Sequence, residues 1–426
     1  MRVLLVSANR EEVNMLTLPL GLACVAEATR SAGHEVEMID LIGRDDADLG
    51  IGRAIDSIRP EVIGISIRNI DDQNMDGTRF LLDIAGRIVS LCRAATDAPI
   101  VLGGAGYSIF PESALAYLGA DMGIRGEGEQ AFPALLERLS KNRPLSDLPG
   151  LYRPGIAPPT EWRPEPQLER LPWPKPSCWP QAQRSNPQLW IPVQIRRGCP
   201  LGCVYCSTAS IEGRRIRTCA PDKAAERMDE LVRAGFSRFF FTDNIFNLPP
   251  SYAKAFCRAL KERGLKPKWL CIVYPTRLDE ELVRLMAEAG CAGVSLGFET
   301  GSARMLAGLN KRFSLSDVRR AASMLAEHGL PTMGFLLLGG PGETRESVLE
   351  SLDFAESLPI TSLKLTVGLR IYPETPLAAI AARRGLIPQG DDLLRPRFYL
   401  EPGLEDWLRE TVQDRARGRA NWMTGA

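Results

Sequence analysis

The stretch Ile191-Pro-Val-Gln-Ile-Arg-Arg-Gly-Cys199-Pro-Leu-Gly-Cys203-Val-Tyr-Cys206 carries a β-branched run straight into three cysteines within eight residues. The run predicts a strand over 191–197, and Gly198 predicts the turn that ends it. The same rhythm repeats downstream. Strands are expected at 238–242, 269–274, 292–297, 332–338 and 362–369, and the helices between them stop at Gly235, Gly264, Gly290 and Gly329. A glycine just past a helix takes the left-handed conformation that closes it. Spacings of 29, 26 and 39 residues between these glycines fit one strand and one helix per unit. Six such units predict a partial, open (β/α)6 barrel over residues 191–379, with its site at the carboxyl ends of the strands.

Working outward, residues 1–148 alternate short apolar runs with amphipathic stretches. Strands are expected at 3–7, 35–39, 62–67 and 100–102, with a weaker one at 121–124; helices are expected at 19–31, 47–58, 78–94, 111–118 and 129–140. This alternation predicts an α/β, Rossmann-like domain, a doubly wound parallel sheet with helices on both faces. Such sheets bind ligands outside the carboxyl ends of their strands, which singles out 7–18, 66–77 and 103–108. Residues 149–190 shift to Pro, Trp and Arg, as in PPTEWRPEP and LPWPKPSCWP. An ordered, extended crossover is expected there, because Trp162, Trp173, Trp179 and Trp190 are poor candidates for life in water. Over 380–426 the pattern fades to a small C-terminal segment with one basic helix near 404–419 and a frayed end.

Composition narrows the function. The chain has 426 residues, 45% of them hydrophobic, which suits an enzyme of two or three domains. Lys plus Arg and Asp plus Glu are 52 each, so no basic surplus is available for nucleic acid. No apolar run approaches the length of a membrane span, and Val3–Ala8 is too short for a secretory core. The reading is a cytosolic protein. Of ten cysteines, seven (Cys24, Cys92, Cys178, Cys219, Cys257, Cys271, Cys291) are scattered and read as free, buried thiols. Histidine is scarce, with only His34 and His328.

Cys199, Cys203 and Cys206 read differently. Three thiolates on one short loop can hold three irons of a cubane cluster and leave the fourth iron without a protein ligand. Structural zinc, the alternative, wants a fourth Cys or His; the nearest later thiol is Cys219, and neither histidine is close.

This CxxxCxxC loop, with Tyr205 before the last cysteine and a βα series behind it, resembles the radical S-adenosylmethionine (SAM) superfamily. There the bare iron of a [4Fe-4S] cluster chelates SAM, and an electron from the cluster cleaves the sulfonium to a 5′-deoxyadenosyl radical. Other strand ends are similar to the family's SAM site. Asp243, closing FFFTDN, resembles the acceptor of the SAM ammonium, with a helix N-cap as the alternative reading. Glu299, in Gly297-Phe-Glu-Thr-Gly301, resembles a polar residue that contacts SAM. GFLLLGGPGET, with Gly334 and Gly339, looks like the glycine motif whose backbone contacts adenine.

The N-terminal PLGLACVAEATRSAGHEVEMIDL and IRGEGEQAFPALL resemble the cobalamin-binding domain fused to one branch of this superfamily. Ser66 and the pair Gly103-Gly104 match two parts of its pattern. The third part, an Asp-x-His-x-x-Gly loop, is absent, since residues 7–21 contain no histidine. His34 reads as structural, at a helix end, and His328 suits the negative end of a helix. A histidine-off cobalamin is therefore implied. Arg68, where leucine would complete Ser-x-Leu, becomes the group facing cobalt, a cation that cannot coordinate it and would disfavour a six-coordinate state. The other reading of Arg68 is a bridge to Asp71 or Asp72. YPETPL, 372–377, departs from a family YPGTPL turn at Glu374, and Arg370 and Tyr372 either face the substrate or brace the barrel rim.

The resemblance implies a cobalamin-dependent radical SAM methyltransferase. One SAM methylates cob(I)alamin, a second yields the radical that takes hydrogen from the substrate, and the substrate radical takes the methyl group from cobalt. The implied substrate is a small metabolite or natural-product intermediate with an unactivated carbon. The implied partner is an external electron donor, flavodoxin- or ferredoxin-like, with no nucleic acid and no membrane. Rival outcomes are a ring contraction or cyclisation without methyl transfer, a polar methyl transfer, a cobalamin sensor on a degenerate barrel, and a radical SAM enzyme that has lost cobalamin.

Overall fold

The computed structural model describes residues 1–10, 18–42, 47–156, 162–181, 184 and 186–424. The expected ligand segment 7–18 therefore lies mostly outside the described residues. By its contacts the chain forms two compact units: Met1–Asp72 with Arg79–Pro192 and Ser210–Gly213, and Gln73–Thr78 with Val193–Ala209 and Arg214–Ala426.

In the first unit, β1 (Arg2–Ser7), β2 (Glu35–Asp40), β3 (Val62–Ser66), β4 (Ile100–Gly103), β5 (Met122–Ile124) and β6 (Leu151–Tyr152) form a sheet of order β2-β1-β3-β4-β5-β6. All pairs are parallel except β5 with β6. Val3–Val6 and Val62–Ile65 are buried on both faces, which is why they read as unbroken apolar runs. Register places Ser7 beside Ser66 and Ser66 beside Gly103 at the carboxyl ends.

Two local expectations need correction. The helix expected from Thr78 begins at Leu82, because Asp71 bridges to Phe80 and Asp72 pairs with Arg79 at 3.2 Å, holding that stretch extended. A short helix, Ala105–Ile109, stands directly after Gly104. After β6, the described part of the Pro/Trp stretch contains the 3-10 turns Leu168–Arg170 and Pro176–Cys178, and it is anchored. Trp162 covers Gly126, where a Cβ would lie 2.1 Å from the indole, Trp179 is buried, and Lys175 pairs with Glu27 at 2.6 Å.

The second unit continues with β7 (Ile191–Val193), β8 (Arg196–Arg197), β9 (Arg217–Thr218), β10 (Arg238–Phe241), β11 (Lys268–Val273), β12 (Cys291–Glu299), β13 (Thr332–Leu338), β14 (Ser362–Val367), β15 (Leu369–Arg370), β16 (Phe398–Tyr399) and β17 (Trp422–Thr424). Its main sheet has the order β17-β14-β13-β12-β11-β10-β7. Gly235, Gly264, Gly290 and Gly329 all have left-handed φ, from +67° to +94°, as helix stops should.

The expected first strand is interrupted: β7 ends at Val193, and β8 pairs instead with β9 to make a short antiparallel ladder. The expected strand 362–369 is likewise divided, at Gly368 with φ +78°. The C-terminus is not frayed at 422–424, where β17 adds a seventh strand parallel to β14 with Leu363 opposite Trp422. One face of the sheet is sealed by helices, with Phe241 edge-on to Phe256 and Trp269 at 5.4 and 5.5 Å. The alternate residues Phe240, Leu270, Ile272, Met333, Phe335 and Leu337 are only half-buried. No helix among the described residues is long and apolar enough to cross a membrane.

Candidate active site

The cysteine loop follows β8. Gly198 and Gly202, at φ +91° and +67°, turn the chain before Cys199 and before Cys203. Asn310 ties the loop down by donating to the Gly202 carbonyl at 2.7 Å, and the Val204 amide donates to the Leu309 carbonyl at 3.3 Å. All three thiols are half-buried and unlinked. Three thiols on one loop, with both histidines engaged elsewhere, suit a cubane cluster with one open iron better than a four-ligand zinc site. Cys24, Cys92, Cys219, Cys257, Cys271 and Cys291 are buried, and burial pushes Cys92 up to about 11, as expected of inert packing thiols.

Beside this loop stands a cation that the sequence did not single out. Lys311 donates to Tyr205 Oη at 2.9 Å and to Glu299 Oε1 at 3.0 Å, and its ammonium lies 5.3 Å from the Tyr205 ring centre. Its side chain is 5% exposed. Glu299 closes β12 after a bulge, with φ +64°, and this turn of the backbone aims its carboxylate at Lys311. Burial pushes the Cys203 thiol pKa up, while Lys311 draws it down through its charge and a side-chain hydrogen bond. The signal for Lys311 was a cation closing Gly308-Leu-Asn-Lys, twelve residues after Glu299, but only the fold pairs the two.

Asp243 is placed elsewhere than expected. It is 1% exposed, its Oδ2 takes the Arg196 Nε at 2.9 Å, and its Oδ1 takes the amides of Ile195 and Arg196. Both oxygens are engaged by the chain that leads into the cysteine loop, so the carboxylate presents no open face to an ammonium. The glycine motif is corrected in the same way. Gly334 turns toward the helices, where a Cβ would meet Ile360 and Phe298 at 2.8 Å. Gly339, at φ +92°, and Gly340 both donate their amides to Glu343 Oε2. Gly342 donates to Glu401 at 2.6 Å. Packing and these carboxylates account for the glycines. Arg370 is buried and donates to the carbonyls of Ile371 and Leu393, with Tyr372 under its guanidinium at 5.0 Å, which is the rim-bracing alternative. Glu374 keeps the backbone of the glycine it replaces, with φ +59°.

In the first unit, a small open cleft lies between the carboxyl ends of β1 and β3, lined by Asn9, Arg10, Ile67, Arg68, Asn69 and Leu81 among others. Arg68 enters it. Among the described residues it has no ion pair, since Asp72 is paired with Arg79, and desolvation lowers its pKa from the ordinary value. That geometry removes the bridge to Asp72 as its explanation. Ser66 is half-buried at the rim, and Gly103 has no atom nearer than 3.9 Å to a Cβ built on it, leaving room for a ligand. Gly104, at φ +101°, is required by the chain itself: a Cβ would stand 2.5 Å from the Ile67 carbonyl. Neither histidine is spare. His34 Nδ1 lies 3.2 Å from the N-terminal amine, and His328 caps a helix with Nε2 3.0 Å from Glu280.

Residues 193–355 match the radical SAM superfamily and residues 6–136 match the B12 binding domain. The chain is a radical SAM enzyme with a B12-binding domain. It is 27% identical over 399 residues to an uncharacterized methyltransferase of Pyrococcus horikoshii, covering 91% of this chain and 84% of that one. It is 25% identical over 442 residues to the tryptophan 2-C-methyltransferase of Streptomyces laurentii, covering 88% and 74%. The structure of the radical SAM methyltransferase TsrM from Kitasatospora setae, with cobalamin and a [4Fe-4S] cluster bound, superposes with a TM-score of 0.77 at 26% identity, over 90% of this chain and 74% of that one. This enzyme therefore uses a [4Fe-4S] cluster, SAM and cobalamin.

Proposed function

We propose that the enzyme moves a methyl group from SAM, by way of cobalamin, to an unactivated carbon of a small metabolite or natural-product intermediate. The observation that carries this reading is the loop of three half-buried cysteines that form no disulfide, with Tyr205, Glu299 and Lys311 arranged beside it. When bound, the cluster supplies one electron to SAM, and cobalamin supplies a methyl carrier.

The chain's own part is to hold and shield. Cys199, Cys203 and Cys206 would ligate the cluster through three of its irons, leaving the fourth for SAM. Glu299 offers its carboxylate to the SAM ammonium, and the Tyr205 ring offers a face to the nucleoside. Ser66 and Gly103 would line the entry for the cobalamin, while Gly104 fixes the turn that shapes the cleft. Arg68 would bring a charge, and no ligand, to bound cobalamin; an unpaired guanidinium opposes added positive charge nearby. With Arg370 bracing the rim, Tyr372 and Glu374 are the residues of that turn left for the substrate side. An external flavodoxin- or ferredoxin-like donor in the cytosol completes the proposal.

The test is anaerobic purification from cells supplied with cobalamin, with iron and cobalt counted per chain, followed by methyl-labelled SAM with candidate substrates. Four irons, one cobalt and a product heavier by one methyl group support the reading. Four irons without cobalt would make the N-terminal cleft a relic and replace it, and a product lighter by two hydrogens would favour cyclisation.

A further inference from the structure

We propose that Lys311 is a positioning residue that sets the reduction potential of the cluster held by Cys199, Cys203 and Cys206, through a buried charge balanced by Glu299. This rests on reading the three cysteines as cluster ligands.

Lys311 follows the short helix Ala303–Gly308, and Asn310 before it takes a left-handed turn, φ +57°, that sends the lysine inward. The ammonium is 5% exposed and held between Tyr205 Oη at 2.9 Å and Glu299 Oε1 at 3.0 Å. A surface lysine samples many rotamers in water, whereas this one is fixed by two partners and a ring. Tyr205 is the residue between two of the cluster cysteines in sequence, so the lysine is fastened to the loop itself.

Net charge and hydrogen bonds near the cysteine sulfurs are the protein's levers on such a cluster. Reduction adds one electron. A fixed cation stabilises that added charge and raises the potential; a fixed carboxylate opposes it and lowers the potential. Lys311 and Glu299 therefore act with opposite sign on the same couple.

The experiment is an anaerobic redox titration of the SAM-free, cluster-loaded protein followed by electron paramagnetic resonance, with iron counted for each variant. Lys311→Met is expected to shift the midpoint to a more negative potential, Glu299→Gln to a more positive one, and the double variant to return close to the native value. Lys311→Arg is expected to restore most of the native potential. Unchanged midpoints with full iron, or shifts of the same sign in both single variants, would overturn the proposal. Should Lys311→Met fail to hold iron, the near-isosteric Glu299→Gln decides alone: a positive shift supports the proposal and no shift overturns it. If the native chain itself takes up no iron, the cluster reading fails instead.

Discussion

Arg196 and Asp243 form an ion pair away from solvent, with Nε 2.9 Å from Oδ2 and side-chain exposures of 3% and 1%. The guanidinium lies between the rings of Phe246 and Tyr252, at 5.1 and 4.8 Å, and donates to the Leu248 carbonyl. Removing one partner of such a pair strands the other charge, at a cost of about 3–5 kcal/mol. Asp243→Ala is expected to lose that much in anaerobic urea unfolding. It should also lose iron, because the same carboxylate anchors the amides of Ile195 and Arg196 ahead of the cysteines. Asp243→Asn keeps acceptors for the amides and should fall between the two. Native stability in Asp243→Ala would deny the pair its structural role.

Arg68 gives a spectroscopic prediction. Replacing it with Ala removes the unpaired charge from the cleft without touching the fold. The absorption of bound cobalamin should move toward a six-coordinate state, and methyl transfer should fall roughly tenfold, equivalent to about 1.4 kcal/mol in the barrier. Unchanged spectra and turnover would sink its assignment.

A stability slope follows from Glu343. Its carboxyl is buried, and burial pushes its pKa from 4.5 up to about 7 against the pull of the Gly339 and Gly340 amides; Oε1 has no partner. The folded state then binds a proton that the unfolded chain releases, so stability falls as pH rises from 4.5 to about 7. The loss amounts to about 3 kcal/mol by pH 8. Glu343→Gln keeps acceptors for both amides and should flatten that part of the pH–stability curve. Parallel curves for the two proteins would contradict the assignment.

Gly104→Ala tests the first unit. A Cβ there meets the Ile67 carbonyl and the φ of +101° is hostile to alanine, so the variant should lose at least about 1–3 kcal/mol and bind cobalamin weakly. Gly103→Ala has open space and should keep its fold, which separates the two in a thermal melt.

How far the sequence reaches can be judged from particular residues. Strands such as Val62–Ser66 and Thr332–Leu338, and stops such as Gly290, were legible because period and turn chemistry are local properties. β17 was not: three residues with a tryptophan and a threonine carry no period, and only the exposed edge of β14 recruits them. Asp243 was misread for a related reason. Its partner Arg196 lies 47 residues earlier, and nothing in FFFTDN announces that both carboxylate oxygens are already engaged. The cysteine loop was legible because its chemistry is written within eight residues, whereas Lys311 acquires meaning only through Glu299 and Tyr205.

Glu299 and Glu374 both hold a left-handed backbone, at φ +64° and +59°, where glycine is the comfortable choice. A programme of directed evolution for heat tolerance would treat the two differently. At Glu374, which is exposed, glycine relieves the backbone and gives a sturdier protein without that carboxylate. At Glu299 the same relief strands the buried Lys311 ammonium, which costs more than the turn returns. A library selected only for folding would thus shed one carboxylate and keep the other.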